Sequence, residues 1–280
     1  MTNSRDPWYV QLVRLGLSLA VVVVSSALSA SSEARAGVIP PSTMALAVVG
    51  QGNFGTIKGR LVWGGAEVPT PKVEAPKGNA PKDPEVCAKD ASILSKELVV
   101  DPKTRGVQYG FAYLVRPKGQ NPDAVAALLK AHPKVEIDQK NCEFVPHCTA
   151  INKDQALVFK SSDPTGHNVR YSGFNNNAFN QNIPPNGSVE RNLVAERLPI
   201  PVACDIHPWM KSYVMVFDHP FFAVTGPDGS FEIKGVPAGP QKIVLWQEKV
   251  GFVTPGRAAG KPIEVKAGEV LDLGSIEMGK

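Results

Sequence analysis

The chain has 280 residues, enough for one large packed domain or two smaller ones. Hydrophobic residues make up 43% and charged residues 20%, as is ordinary for a globular protein. The formal charge of +4 comes without any dense basic stripe, which argues against a nucleic-acid partner.

Twenty-five glycines and 25 prolines, with few helical patterns, favour many short strands over bundled helices. Residues 1–36 have the form of an export signal. Arg5 and Arg14 precede the apolar run Leu15 to Val24, and small residues lead to Ala34-Arg-Ala36. That run is shorter than the ~20 apolar residues of a spanning helix. An uncleaved membrane anchor is the alternative. Cleavage at Ala36 leaves a mature protein with no membrane span, charged +3, in an oxidising periplasmic or otherwise extracytoplasmic space.

Residues 37–54 form a small-residue lead-in, within which Met44 to Val49 is apolar. Gly55 to Trp63 alternates apolar and polar residues, with Ile57, Leu61 and Trp63 on one face, and predicts a strand. Residues 66–84 are rich in Pro and Lys and predict an extended surface loop without a core. Strands are predicted over Glu97–Val100 and Val107–Val115. The stretch Asn121 to His132 is the one convincing helix, with Asn at the N-cap, Pro next and Asp in the first turn. Together residues 55–134 form an N-terminal β region with a short helix.

Strand signals return over 135–218: Val135–Asp138, Phe144–Ile151, Ala156–Lys160, Val189–Leu193, Ile200–Cys204 and Tyr213–Phe217. Seven or so short strands with Gly/Pro turns predict a β-sandwich. The asparagine-rich stretch 175–182 is expected to be a surface loop without functional meaning. Residues 219–280 predict a further β unit: a meander from Phe221 to Trp246 with a hairpin turn at Asp228-Gly229, then strands at Lys261–Lys266 and Val270–Met278.

The chemistry concentrates in Cys204-Asp-Ile-His-Pro-Trp-Met210. This short loop can point a thiol, an imidazole and a thioether at one spot, and His167 offers a second imidazole about forty residues upstream. One thiolate, two imidazoles and a weak axial thioether make the ligand set of a mononuclear electron-transfer copper site. Pro208 stiffens the loop and Trp209 can cover the metal edge. Met210 lies inside the loop, whereas Met215 falls in the following strand as a core residue. His147 reads as a packed or hydrogen-bonded strand residue and His219 as a turn residue.

Three cysteines then remain. Cys142 and Cys148 lie roughly 20 Å apart if the segment between them is extended, beyond disulfide reach. Cys87–Cys142 is therefore the favoured bridge, with Cys148 a buried thiol. Two bridges, one of them consuming Cys204, are the alternative.

His167-Asn-Val169 with the 204–210 loop resembles the cupredoxin family of blue copper proteins, with the loop length of amicyanin. The resemblance covers about residues 135–218. It implies a Greek-key β-sandwich binding one copper ion through His167, Cys204, His207 and Met210. It also implies that Asn168 ties the two ligand loops together, and that His207 lies nearest the surface as the electron port, with Trp209 beside it. The tail from Phe221 to Trp246 resembles carboxypeptidase-regulatory or transthyretin-like β modules, which often open with a strand like Gly55–Trp63. The first strand is thus expected to complete a module whose remainder spans 219–278. The whole arrangement is similar to bacterial cupredoxin-domain proteins of the "methylamine utilization protein" type.

The expected function is that of an exported one-electron carrier. Its partner would be a redox protein such as a c-type cytochrome or a periplasmic oxidoreductase. A periplasmic copper chaperone or storage protein is the alternative. An enzyme is disfavoured, because Met210 in the fourth position leaves little room for substrate, and the further His-x-His pairs of a multicopper oxidase are absent. No Cys-x-x-Cys-His occurs, so no haem attachment is expected.

Overall fold

A computed structural model describes residues 53–279. The export-signal segment 1–36 and nearly all of the lead-in lie outside the described residues. Strands β1 (Phe54–Trp63), β2 (Val73–Ala75), β3 (Ile93–Leu94) and β4 (Phe111–Leu114) precede helix α1 (Pro122–Ala131). There follow β5 (Lys134–Lys140), β6 (Glu143–Val145), β7 (Cys148–Asn152), β8 (Ala156–Ser161), β9 (His167–Tyr171), β10 (Phe179–Ile183), β11 (Ser188–Arg191), β12 (Ile200–Ala203) and β13 (Lys211–Phe217). The last part holds β14 (Phe222–Val224), β15 (Ser230–Pro237), β16 (Gly239–Gln247), β17 (Gly251–Phe252), β18 (Lys261–Val265) and β19 (Val270–Met278).

The fold is all-β, and its four main sheets stack in layers. The first has the order β11-β8-β5-β6 and the second β10-β9-β12-β13-β7. Ile137, Phe144, Leu157 and Phe159 of the first meet Ile151, Val169, Ile200, Val202, Val214 and Val216 of the second in one core. The third sheet, β14-β4-β16-β17, lies on the opposite face of the second. There Phe111, Tyr113 and Val244 pack on Cys148, Met215 and Phe217. Its other face, through Ala112, Leu114, Ile243 and Leu245, meets Ile57, Leu61, Phe231 and Ile233 of the fourth sheet, β15-β1-β19.

This stacking explains the sequence pattern. A strand with one face in water alternates, but β4 is buried at all four positions and β13 at its last four, so both read as unbroken apolar runs. Period two then sends Val214 and Val216 to one core and Met215 and Phe217 to the other. β1 pairs antiparallel with β15 and parallel with β19, which joins residues near position 60 to the end of the chain.

Several local expectations need correction. The run 144–151 is two strands, not one: Pro146 has no N–H for a ladder, and β6 and β7 go to different sheets. Glu97–Val100 forms only an isolated bridge between Val100 and Val107. The asparagine-rich stretch contributes β10, paired antiparallel with β9. The tail is not a meander, since β14 and β16 both pair with β4 whereas β15 pairs with β1. Asp228-Gly229 does turn the chain, with Gly229 at φ +79°, but the strands it joins enter different sheets. A Cβ on Gly229 would meet the Leu61 carbonyl oxygen at 2.1 Å, so glycine is needed for this close approach.

Candidate metal centre

The antiparallel pairing of β9 with β12 sets Ala203 opposite Arg170 and Val202 opposite Tyr171. Continuing that register by two residues brings Asp205 to Asn168, and hence Cys204 and His167 to one end of the paired strands. The Asn168 side chain accepts from the Asp205 N–H at 2.6 Å, and its amide donates to Asp205 Oδ2 at 3.2 Å and Asn180 Oδ1 at 2.7 Å. Asn168 thereby joins the strand that carries His167 to the loop that carries the other donors. The loop closes on itself, with Cys204 N–H donating to the Met210 carbonyl at 3.2 Å and Met210 N–H to the His207 carbonyl at 2.9 Å.

Within this frame the donor atoms converge. His167 Nδ1 lies 3.0 Å from His207 Nδ1, and Cys204 Sγ lies 3.8 Å from His207 Nδ1. Ligand atoms of His167, Cys204 and His207 all fall within 4.8 Å of one another, and the three residues are buried. Each imidazole uses its other nitrogen on a carboxylate: His167 Nε2 on Asp163 Oδ2 at 2.8 Å, His207 Nε2 on Asp83 Oδ2 at 2.9 Å. A carboxylate only accepts, so each Nε2 carries a hydrogen and Nδ1 is the ring atom that faces inward. Carboxylate-anchored imidazoles are the usual arrangement behind a metal ligand.

The donor set fits a copper ion. With metal–nitrogen bonds of about 2.0–2.1 Å and a metal–sulfur bond of about 2.3 Å, atoms on one ion sit roughly 3.3–3.8 Å apart between tetrahedral and trigonal angles. The observed 3.0 and 3.8 Å need adjustments of only a few tenths of an ångström. Met210 is buried in the same apolar cluster as Cys204. Pro208 is exposed on the loop, and Trp209 is half-buried, its indole N–H donating to the Cys142 carbonyl at 3.0 Å.

The electrostatics follow from the contacts. Burial alone would raise the Cys204 thiol, but hydrogen bonds from His167, His207 and the Asn168 N–H overcome it and hold the thiol at about 6. Burial likewise disfavours the charged His167 ring, yet the Asp163 carboxylate and the Cys204 sulfur raise it to about 9. The Cys204–His167 pair is therefore thiolate and imidazolium near neutrality. Burial opposes the charged forms of Asp163 and Asp83 as well, and hydrogen bonds hold both below the usual carboxylate range. These come from His167 and the Cys142 and Asn141 N–H groups for Asp163, and from His207 and Thr165 for Asp83.

Two expectations fail. His207 is not the surface residue of the site; it is 0% exposed. The Pro/Lys-rich segment, expected to be a surface loop without a core, packs Ala75 and Ala80 into the first core and sets Asp83 over the ring. A disulfide between Cys87 and Cys142, with Cα atoms 5.3 Å apart, ties it down. Cys142 sits with Asn141 in the two-residue turn between β5 and β6, both at positive φ, and their N–H groups donate to Asp163.

The remaining sulfur and imidazole groups lie elsewhere. His147 is held by the Lys211 carbonyl at Nδ1 and by Glu248 Oε2, 2.7 Å from Nε2. Met215 and the Cys148 thiol face the third sheet. His219 Nδ1 accepts from the Phe221 N–H in a turn. Sequence reasoning missed Asp83, Asp163 and Asn180. Asp163 had a local signal, four residues before His167. Asp83 had none, since 124 residues separate it from His207.

No protein-family model and no curated protein matches the chain. Among solved structures, a reduced Cu(I) form of an amicyanin variant matches at 15% identity and TM-score 0.27, covering 30% of this chain and 82% of that one. A Cu(I) form of another amicyanin variant matches at 13% and 0.28, covering 38% and 98%. The copper-containing nitrite reductase of Thermus scotoductus SA-01 matches at 16% and 0.28, covering 30% and 22%. None of the described helices is long and apolar enough to cross a membrane.

Proposed function

We propose that the chain is an exported mononuclear type 1 copper protein that carries single electrons between redox partners, and is not an enzyme. The observation behind this reading is the convergence of the His167 and His207 Nδ1 atoms with Cys204 Sγ while both Nε2 atoms are anchored on carboxylates. His167, Cys204 and His207 would hold the ion, with Met210 as the weak fourth donor. Bound copper supplies a one-electron couple. The chain supplies rigidity: Asn168 clamps the two ligand segments, Asp163 and Asp83 fix the ring planes, and the buried setting keeps water away. A site that does not rearrange suits fast electron transfer.

With His207 covered, the partner contact falls to the exposed Pro208 and the half-buried Trp209, whose ring centroid lies 5.3 Å from that of His207. A c-type cytochrome or periplasmic oxidoreductase fits such a small transient contact. The disulfide supports an oxidising, extracytoplasmic location.

The cover over His207 also favours a second reading, a copper chaperone or storage protein that shields its ion from chance oxidants. One experiment separates the two. Cu(II) is added to the purified protein and the visible spectrum recorded. The carrier gives an intense thiolate-to-copper band that Cys204→Ala abolishes and that bleaches and returns over repeated reduction and oxidation. A colourless protein that retains Cu(I) tightly selects the second reading.

A further inference from the structure

The disulfide that ties down the Asp83 segment is built into the wall of the metal centre. Cys87, Cys142 and His207 place ligand atoms within 4.8 Å of one another, and so do Cys142, Asp163 and His167. All of these are buried. A structural bridge has no need of two imidazoles at coordination range. His207 has two ring nitrogens, one of which faces His167 while the other faces Asp83. Asp83 keeps a partly exposed carboxylate.

We propose that Cys87 and Cys142 form, with His207, a second soft-metal site that opens when their disulfide is reduced and takes Cu(I). Two thiolates and an imidazole are a donor set for that ion. The step balances with a dithiol reductant. Two electrons and two protons pass to the Cys87–Cys142 bond, which becomes two thiols, as the dithiol becomes a disulfide. Binding of Cu(I) then displaces the two thiol protons, because the thiolate is the ligand, and the Nε2 hydrogen of His207, which leaves to solvent by way of the Asp83 carboxylate. The two sites share His207, so the reduced protein holds two ions side by side, and the redox state of the bridge sets the copper capacity of the chain.

The test is a titration of the full chain with Cu(I) against a chromophoric Cu(I) chelator, before and after treatment with a phosphine reductant. The expected stoichiometry rises from one to two ions per chain on reduction, with the β-sheet circular dichroism unchanged. The second ion also protects Cys87 and Cys142 from alkylation. The double variant Cys87→Ser/Cys142→Ser is expected to stay at one. Cys204→Ala is expected to bind none when oxidised and one when reduced, which distinguishes a failure of this inference from a failure of the carrier reading. A reduced wild-type chain that still binds one ion overturns the proposal, as does loss of the native circular dichroism on reduction.

Discussion

Asp83 Oδ2 lies 2.9 Å from His207 Nε2, closing the candidate metal centre with a residue from a distant part of the chain. An anchored carboxylate fixes the orientation of the ring it holds. Asp83→Ala should lower copper affinity by about 10–100-fold, the usual effect of removing such an anchor. Competition against a chelator of known affinity measures it. An unchanged affinity would make Asp83 a bystander.

The thiolate of Cys204 should be visible in the metal-free protein. Its ultraviolet thiolate absorption is expected to rise with a midpoint near 6, because the two histidines overcome the burial that opposes ionisation. Cys148 will not interfere, since burial and then the Glu248 charge push its thiol well above the ordinary thiol range. In His167→Ala the midpoint should move upward. A midpoint that stays put would mean that His167 does not hold the thiolate.

Asp163 gives a stability dependence whose sign is fixed by its depressed folded-state pKa. Its contribution is present above the unfolded-state value, near 3.8, and is lost as pH falls through the lower folded-state value. At neutral pH Asp163→Asn should destabilise the metal-free protein by about 1–3 kcal/mol, because one of its buried donors loses its acceptor. Thermal melts of both proteins should converge as the solution is acidified below pH about 4. A gap that is constant with pH would assign the loss to packing instead.

The buried pair of His147 and Glu248, 2.7 Å apart, joins the start of β7 to the end of β16 and so ties the second sheet to the third. Glu248→Ala should cost about 1–3 kcal/mol in denaturant unfolding, because it leaves the buried His147 Nε2 without its hydrogen-bond partner. The copper spectrum should not change, since neither residue belongs to the donor set. A shifted spectrum would bring His147 into the surroundings of the copper.

The sequence by itself brought the loop's thiol and imidazole together. Cys204 and His207 lie three residues apart in one tight loop, so residue type and short spacing suffice to set Sγ 3.8 Å from Nδ1. His167 was legible because Asn168 follows it in a pattern that goes with such loops. The helix at Pro122–Ala131 was legible for the same local reason, with the Asn121 side chain accepting from the Ala124 N–H at its first turn. The alternation of β1 was equally plain.

The tertiary structure alone decided the surroundings. The strands flanking Asp228-Gly229 diverge into different sheets because β1 and β4 take them as partners, and no local pattern encodes a partner more than a hundred residues away. Asn180 looked like loop filler until β10 paired with β9 and set it against Asn168. His207 changed from the imidazole expected nearest the surface to a fully buried one for the same reason. The Cys87–Cys142 bridge and the packing of Ala75 and Ala80 bring Asp83 over the ring. Side-chain identity and close spacing fix which atoms can bind a metal; long-range packing fixes what covers them.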